Sequence, residues 1–248
     1  MYQPMFTLDA KGIPIISNDE IDTLGERLVA DFSPLDIFTP KAIDIDRFVT
    51  KYLKLKQDFY YLSHCGVYLG TTIFQETHRL PVFNPETISA EYAHVEAGTV
   101  IIDSSLMVDN QEHRYRFTMG HEGGHSILHP SYYLNSIGMV DEERSNAYVR
   151  CRADFKASKN EALQRNYHLS DKQRLEQQAN YFASAILMPR CTVKMALARV
   201  PNKGQKDWGY HASMHLSKIF NTSQESAFYR LKALGYIDKS TPFTPFSY

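Results

Sequence analysis

From Ile21 to Phe32 the apolar residues Ile21, Leu24, Leu28, Val29 and Phe32 recur at helical spacing behind a polar start, Ser17 to Glu20, suited to cap a first turn. That pattern predicts a helix. Thr39 followed by Pro40 reads as the cap and first residue of a second helix carrying Ile43, Phe48, Val49 and Leu53. The periodicity then changes. Asp58 to Ser63, Gly66 to Phe74, Leu80 to Phe83 and Thr99 to Asp103 are short runs rich in Tyr, Val, Ile and Thr, interrupted by Gly or by Asn84-Pro85. They predict a small, mostly antiparallel sheet. From about Gln111 the helical period returns in three places: a helix ending near His129, one over Asp171 to Met188, and a short pair over Ala212 to Leu234. No internal repeat and no Gly/Ser linker divides the chain. The expected class is α+β, with a helical region over 1–55, a core over 56–190 and a helical region over 191–248 that forms one compact unit with the core.

Composition narrows the functional classes. Over 248 residues, 27 Lys and Arg against 28 Asp and Glu leave a net charge of −1, which gives no general field for a phosphate backbone or an anionic membrane. Direct nucleic-acid binding is therefore not expected. Met1 to Pro14 interleaves Asp9 and Lys11 with short apolar pieces, so we expect neither a secretion signal nor a membrane span, and a cytoplasmic protein. Cys65, Cys151 and Cys191 are odd in number and widely spaced, which suits reduced bystander thiols.

The chemistry is concentrated in His121-Glu122-Gly123-Gly124-His125, an H-E-x-x-H sequence. On a helix, residues four apart differ by about 40° in azimuth and about 6 Å in height, so two imidazoles can converge on one ion at roughly 2.0–2.1 Å. Glu122, about 100° round, can reach water beside that ion without ligating it. Two solvent-facing histidines on an amphipathic helix are the alternative. Farther on, Ser170-Asp171-Lys172-Gln173 forms a capping box that opens a helix with the apolar stripe Leu175, Ala179, Phe182, Ala183, Ile186 and Leu187. Glu176 lies at the edge of that stripe. A lone buried carboxylate is costly unless it meets a cation, so Glu176 is either a half-exposed flank of the stripe or a third metal ligand.

Arg116-Phe117-Thr118 ahead of His121-Glu122 and His125, then Glu176, Ala179-Asn180, Phe182-Ala183 and Leu187-Met188-Pro189, resemble the ImmA/IrrE family of zinc metallopeptidases. The resemblance covers about 95–130 and 171–190 well, and the tail around Leu216 to Ile237 more loosely. It implies a zincin-like fold, Zn2+ held by His121, His125 and Glu176, Glu122 as general base or acid, and a fourth position for water. It also implies a regulatory protein substrate, commonly a helix-turn-helix repressor cut at a limited site. In such folds a strand like Thr99 to Asp103 borders the cleft, where an extended peptide pairs with an open edge. A strand buried on both faces is the other reading.

Two features depart from the family pattern. Gly123 stands where a bulky apolar residue is usual, and Gly123-Gly124 costs a helix about 2 kcal/mol relative to alanine. Gly120, Gly123 and Gly124 share the side away from Glu122, where another backbone could pack closely. The stretch between His125 and Glu176 is also long, with Arg144, Arg150, Arg152, Lys156, Lys159 and Arg165 in it, read as solvated surface or as a cover over the cleft. His129 is about 12 Å along the helix from His121, too far to share an ion, and is expected to support a ligand from behind, to end the helix or to touch substrate. Tyr132, Tyr133, His129 and Tyr181 are candidates for stabilising an oxyanion.

A binding module that keeps zinc for stability and titrates a repressor without cutting it is the competing function. A third is nucleic-acid binding by the tail, where Thr222 and Glu225 form a capping box, Gly235 ends the helix, and Lys218, Arg230 and Lys232 supply the charge.

Overall fold

The structure is a computed structural model that describes residues 2–135, the backbone of 148–152, and residues 170–201 and 207–244. Helix α1 is Asn18–Phe32, and the Ser17 side chain and Glu20 close a capping box at its start. Its Ile21, Leu24, Leu28 and Val29 are buried, as the spacing predicts. The second helix does not begin at Thr39. Thr39 is extended (φ −132°, ψ 115°), the conformation favoured before proline, and Asp44 caps α2 (Ile45–Arg47) by accepting from Arg47 N at 3.0 Å. A π-type turn, Phe48–Tyr52, continues α2 and buries Phe48 and Val49.

The sheet strands follow: β1 (Lys56–Tyr60), β2 (Tyr68–Ile73), β3 (Thr77–Asn84), β4 (Ser89–Val95) and β5 (Thr99–Asp103). Pattern reading missed β4, whose Ser-Ala-Glu-Tyr-Ala-His-Val sequence is mostly exposed and shows little alternation. Beyond these lie α3 (Glu112–Leu128), α4 (Pro130–Asn135), β6 (Tyr148–Arg152), α5 (Asp171–Leu187), α6 (Arg190–Leu197), α7 (Trp208–Phe220) and α8 (Gln224–Ala233). The main sheet runs β1-β5-β2-β6. Only its β1–β5 pair is parallel, and β3–β4 form a separate antiparallel hairpin. The class is α+β and zincin-like, as expected.

Every residue of β5 is buried, because β1 and β2 flank it, the helical core covers Val100 and Ile102 on one face, and Leu80, Val82 and Val95 of the β3–β4 hairpin cover Ile101 on the other. Thr99 to Asp103 is therefore the interior strand of the two alternatives, with no open edge for a peptide. The outer edge of β2 is taken by β6. Of the basic residues, Arg150 and Arg152 lie on β6, where backbone alone is described, and Arg144, Lys156, Lys159 and Arg165 lie outside the described residues.

One core joins Leu69, Val100 and Ile102 of the sheet to Met119 and Leu128 of α3, Leu28 of α1, and Phe182 and Ile186 of α5. A second gathers Met188, Val193, Trp208, Ala212, Leu216, Phe220 and Leu231. Arg230 ties the two together: its guanidinium meets Asp22 of α1 at 2.5 Å and donates to Met188 O at 3.0 Å, fully buried. It is not a surface cation. The cap of α8 is Ser223, which accepts from Ser226 N, and not Thr222. Asn221 in the left-handed region (φ 51°) ends α7 and shifts the start of the next helix by one residue. Cys65 is exposed, while Cys191 is half-buried and burial pushes its thiol up to about 11. Among the described residues no helix is long and apolar enough to cross a membrane.

Candidate metal centre

Helices α3 and α5 approach at a distance that only small residues permit. A Cβ on Gly120 would stand 3.3 Å from Ala183 Cβ, and one on Gly124 would stand 3.0 Å from Phe182 Cδ1 and 3.3 Å from the Ala179 backbone. The expected close packing thus holds for Gly120 and Gly124. Gly123 differs, facing the side chains of Leu53 and Val49 at 3.4 Å. Arg116 fixes the other end of α3 by donating to Ile43 O and Asn221 O, each at 2.9 Å.

This crossing carries Glu176 of α5 onto the face of α3 that bears His121 and His125. His121 Nε2 lies 3.5 Å from Glu176 Oε2, His125 Nε2 lies 3.6 Å from Oε1, and the two Nε2 atoms are 2.9 Å apart. All three residues are buried. The neighbouring groups determine which ring nitrogens carry protons. Gln178 Nε2 donates to Pro14 O at 2.9 Å, which turns Gln178 Oε1 toward His129 Nε2 at 3.0 Å as an acceptor. His129 Nδ1 is then bare and accepts from His125 Nδ1 at 2.9 Å, leaving His125 Nε2 without a proton. Likewise Asn180 Oδ1 accepts from His121 Nδ1 at 2.9 Å, which bares His121 Nε2. Burial lowers the His125 and His129 imidazoles, keeping both neutral near pH 7.

Two bare ring nitrogens and a carboxylate aimed at one point repel one another unless a cation lies between them. Glu176 Oε1 has no hydrogen-bond partner. The donor set of two neutral imidazoles and one carboxylate suits a borderline divalent ion.

Glu122 stands to one side. Its Oε2 accepts from Thr72 Oγ1 of β2 at 2.7 Å, while Oε1 is buried without a hydrogen-bond partner. Burial pushes its carboxyl up to about 7. Gly70 of β2 lies directly beneath: a Cβ there would fall 2.7 Å from Glu122 Oε1 and 2.7 Å from Thr118 Cγ2. The strand thus fixes the carboxylate from below with one hydroxyl and one absent side chain.

Residues 82–232 match the family model described as Peptidase M78, IrrE N-terminal-like domain. The chain belongs to this family. No curated protein matches the chain closely enough to name a relative. Membership makes it a member of a peptidase family in which the buried His-His-Glu group falls within the matched span.

Within this IrrE-like domain, His129 turns to His125 and away from Glu176, consistent with its exclusion as a ligand. The oxyanion candidates separate. Tyr181 donates its hydroxyl to Asp22 at 2.8 Å and is spent there. Tyr132 packs with Ile13 and Leu175. Tyr133, stacked on Phe74 with ring centroids 4.6 Å apart, has its phenol raised well above the ordinary range by burial and by Glu176 and Glu122 nearby. Sequence reading assigned no role to Gly70, Thr72, Gln178 or Asn180. Asn180 was visible as part of the second motif, whereas the β2 pair carried no signal of its own.

Proposed function

We propose that this chain is a zinc-dependent endopeptidase of the cytoplasm, cutting a regulatory protein of the helix-turn-helix repressor kind at a limited site. The observation that carries the reading is the convergence of the bare His121 and His125 nitrogens on Glu176, with the unpartnered Glu122 Oε1 beside them. His121, His125 and Glu176 would hold the ion. Bound there, it would supply Lewis-acid polarisation of water and of a peptide carbonyl.

The chain's own groups supply the proton transfers. Glu122, raised to about 7, is poised to take a proton at Oε1 and return it to the leaving amine. Thr72 keeps Oε2 occupied, so Oε1 is the oxygen that acts. The Tyr133 phenol, held by its stack on Phe74 with Glu176 and Glu122 nearby, is the donor we assign to a developing oxyanion. A peptide pairing with the outer edge of β2 would lie beside Glu122 and would have to take the place of β6.

The complete burial of His121, Glu122 and His125 favours a second reading, a metal-stabilised antirepressor that binds without cutting. One experiment separates the two. Wild type and Glu122→Gln, shown by metal analysis to carry equal zinc, are incubated with a helix-turn-helix repressor from the same genome and with casein. Site-limited cleavage of the repressor by wild type alone is expected. Equal cleavage by both proteins sinks the proposed role of Glu122, and no cleavage of either substrate by zinc-loaded wild type sinks the endopeptidase reading.

A further inference from the structure

We infer that the β3–β4 hairpin carries a second, solvent-facing site for a borderline divalent transition cation, ligated by Glu76, His78 and His94. The three residues repeat the donor set of the buried centre on a different part of the fold, and their ligand atoms lie within 4.8 Å of one another. All three are exposed.

The hairpin geometry explains why they converge. Thr77 pairs with Val95, and the next register pair is Leu80 with Ala93, so three steps along β3 are matched by two along β4. The extra residue is a bulge, a feature that re-aims side chains. It falls beside His78, which sits across from His94 with the imidazoles stacked at 4.1 Å between centroids and 9° between planes. Both rings present Nε2 to the same carboxylate oxygen, Glu76 Oε1, at 2.7 Å from His94 and 3.9 Å from His78.

Hydrogen bonding alone accounts for only half of this. The His94 contact is an ordinary hydrogen bond, but 3.9 Å is beyond hydrogen-bond range, so His78 gains little from Glu76. Two ligands at about 2.0–2.1 Å from a tetrahedral ion are about 3.3 Å apart, midway between the two distances observed. The stacked rings hold their Nε2 lone pairs in near-parallel planes, so closing the site takes a swing of one exposed imidazole out of the stack to aim both nitrogens at one ion beside Glu76. Two imidazoles and a carboxylate select Zn2+, Ni2+ or Cu2+ over Ca2+ and Mg2+, and water fills the remaining positions. Binding displaces the Nε2 proton of His94 and ties β3 to β4 across the bulge.

The full chain, stripped with a chelator, is titrated with Zn2+ by equilibrium dialysis and metal analysis. A double variant, His78→Ala with His94→Ala, and a separate Glu176→Gln variant are titrated in the same way. Wild type is expected to take two equivalents and the double variant one, with the lost equivalent at least tenfold weaker than the retained one. Glu176→Gln keeps the hairpin equivalent, so loss of the buried site does not mask the result. In spectra of wild type, the His78 and His94 ring resonances move together as the weaker equivalent fills. The inference is overturned if the double variant binds as many ions as wild type with the same isotherm, or if those resonances stay fixed at tenfold excess Zn2+. Both alanines replace exposed side chains, and an unchanged metal-free melting midpoint confirms an intact fold.

Discussion

His129 Nδ1 lies 2.9 Å from His125 Nδ1, so one of these two nitrogens carries the proton and the other does not. Gln178 decides which. Its amide is oriented by donation to Pro14 O and accepts from His129 Nε2, which forces His125 to keep its proton on Nδ1 and expose Nε2. Replacing Gln178 with Leu frees His129 to adopt the other tautomer, donate from Nδ1, and move the His125 proton onto the nitrogen that faces Glu176. We expect Gln178→Leu to weaken zinc binding by about 10–100-fold, the range typical for groups that orient a ligand. Chelator competition measures it. An unchanged affinity would show that the relay sets nothing.

Gly123 and Gly124 are neighbours in sequence with opposite expected responses to alanine. Both should gain about 1 kcal/mol of helix propensity. At Gly123 the new methyl meets Leu53 Cδ1 and Val49 Cγ2 at 3.4 Å, an ordinary contact, so Gly123→Ala should be neutral or raise the melting midpoint. At Gly124 it meets Phe182 Cδ1 at 3.0 Å and the Ala179 backbone at 3.3 Å, so α3 and α5 must separate at a cost of about 1–3 kcal/mol. Thermal melts of the two variants should move apart. Equal shifts would mean that the helix crossing is looser than these distances say.

The same contrast shows what the sequence could reveal. A helix writes its own periodicity, so the spacing of His121 and His125, the Ser170 capping box and the stripe around Glu176 are all visible in one dimension. The meeting of α3 and α5 depends on glycines opposite alanines across two elements, and only the glycine half was suggestive. Gly70 and Thr72 belong to the site because β2 runs beneath Glu122, a fact of sheet order that no local pattern contains. The errors at Thr39 and Thr222 have another origin. In each case a residue able to cap stood near a better one, Asp44 or Ser223, and backbone conformation decided between them.

Gly70 should be intolerant of any side chain, for a reason specific to the reaction. A methyl group 2.7 Å from Glu122 Oε1 must displace the one carboxylate oxygen left to act, whereas His121, His125 and Glu176 lie on helices that β2 does not carry. Gly70→Ala should therefore keep its zinc content and lose activity. A misplacement approaching 1 Å costs about 10²-fold in rate. Peptide hydrolysis measured beside metal analysis tests this, and full activity with full zinc would contradict the role given to Glu122.

Metal removal should cost stability at the buried centre in particular. Without a cation, Glu176 and two bare imidazoles face one another in a buried space, so the ion binds the folded chain and has no comparable site in the unfolded one. At free zinc a hundredfold above the dissociation constant, that linkage contributes about 2.7 kcal/mol. For a chain of this length it corresponds to a rise of roughly 5–10 °C in melting midpoint. The measurement belongs in the His78→Ala, His94→Ala background, where only the buried centre reports. Adding Glu176→Gln should abolish most of the zinc-dependent rise. A rise that survives unchanged would place the stabilising ion elsewhere in the fold.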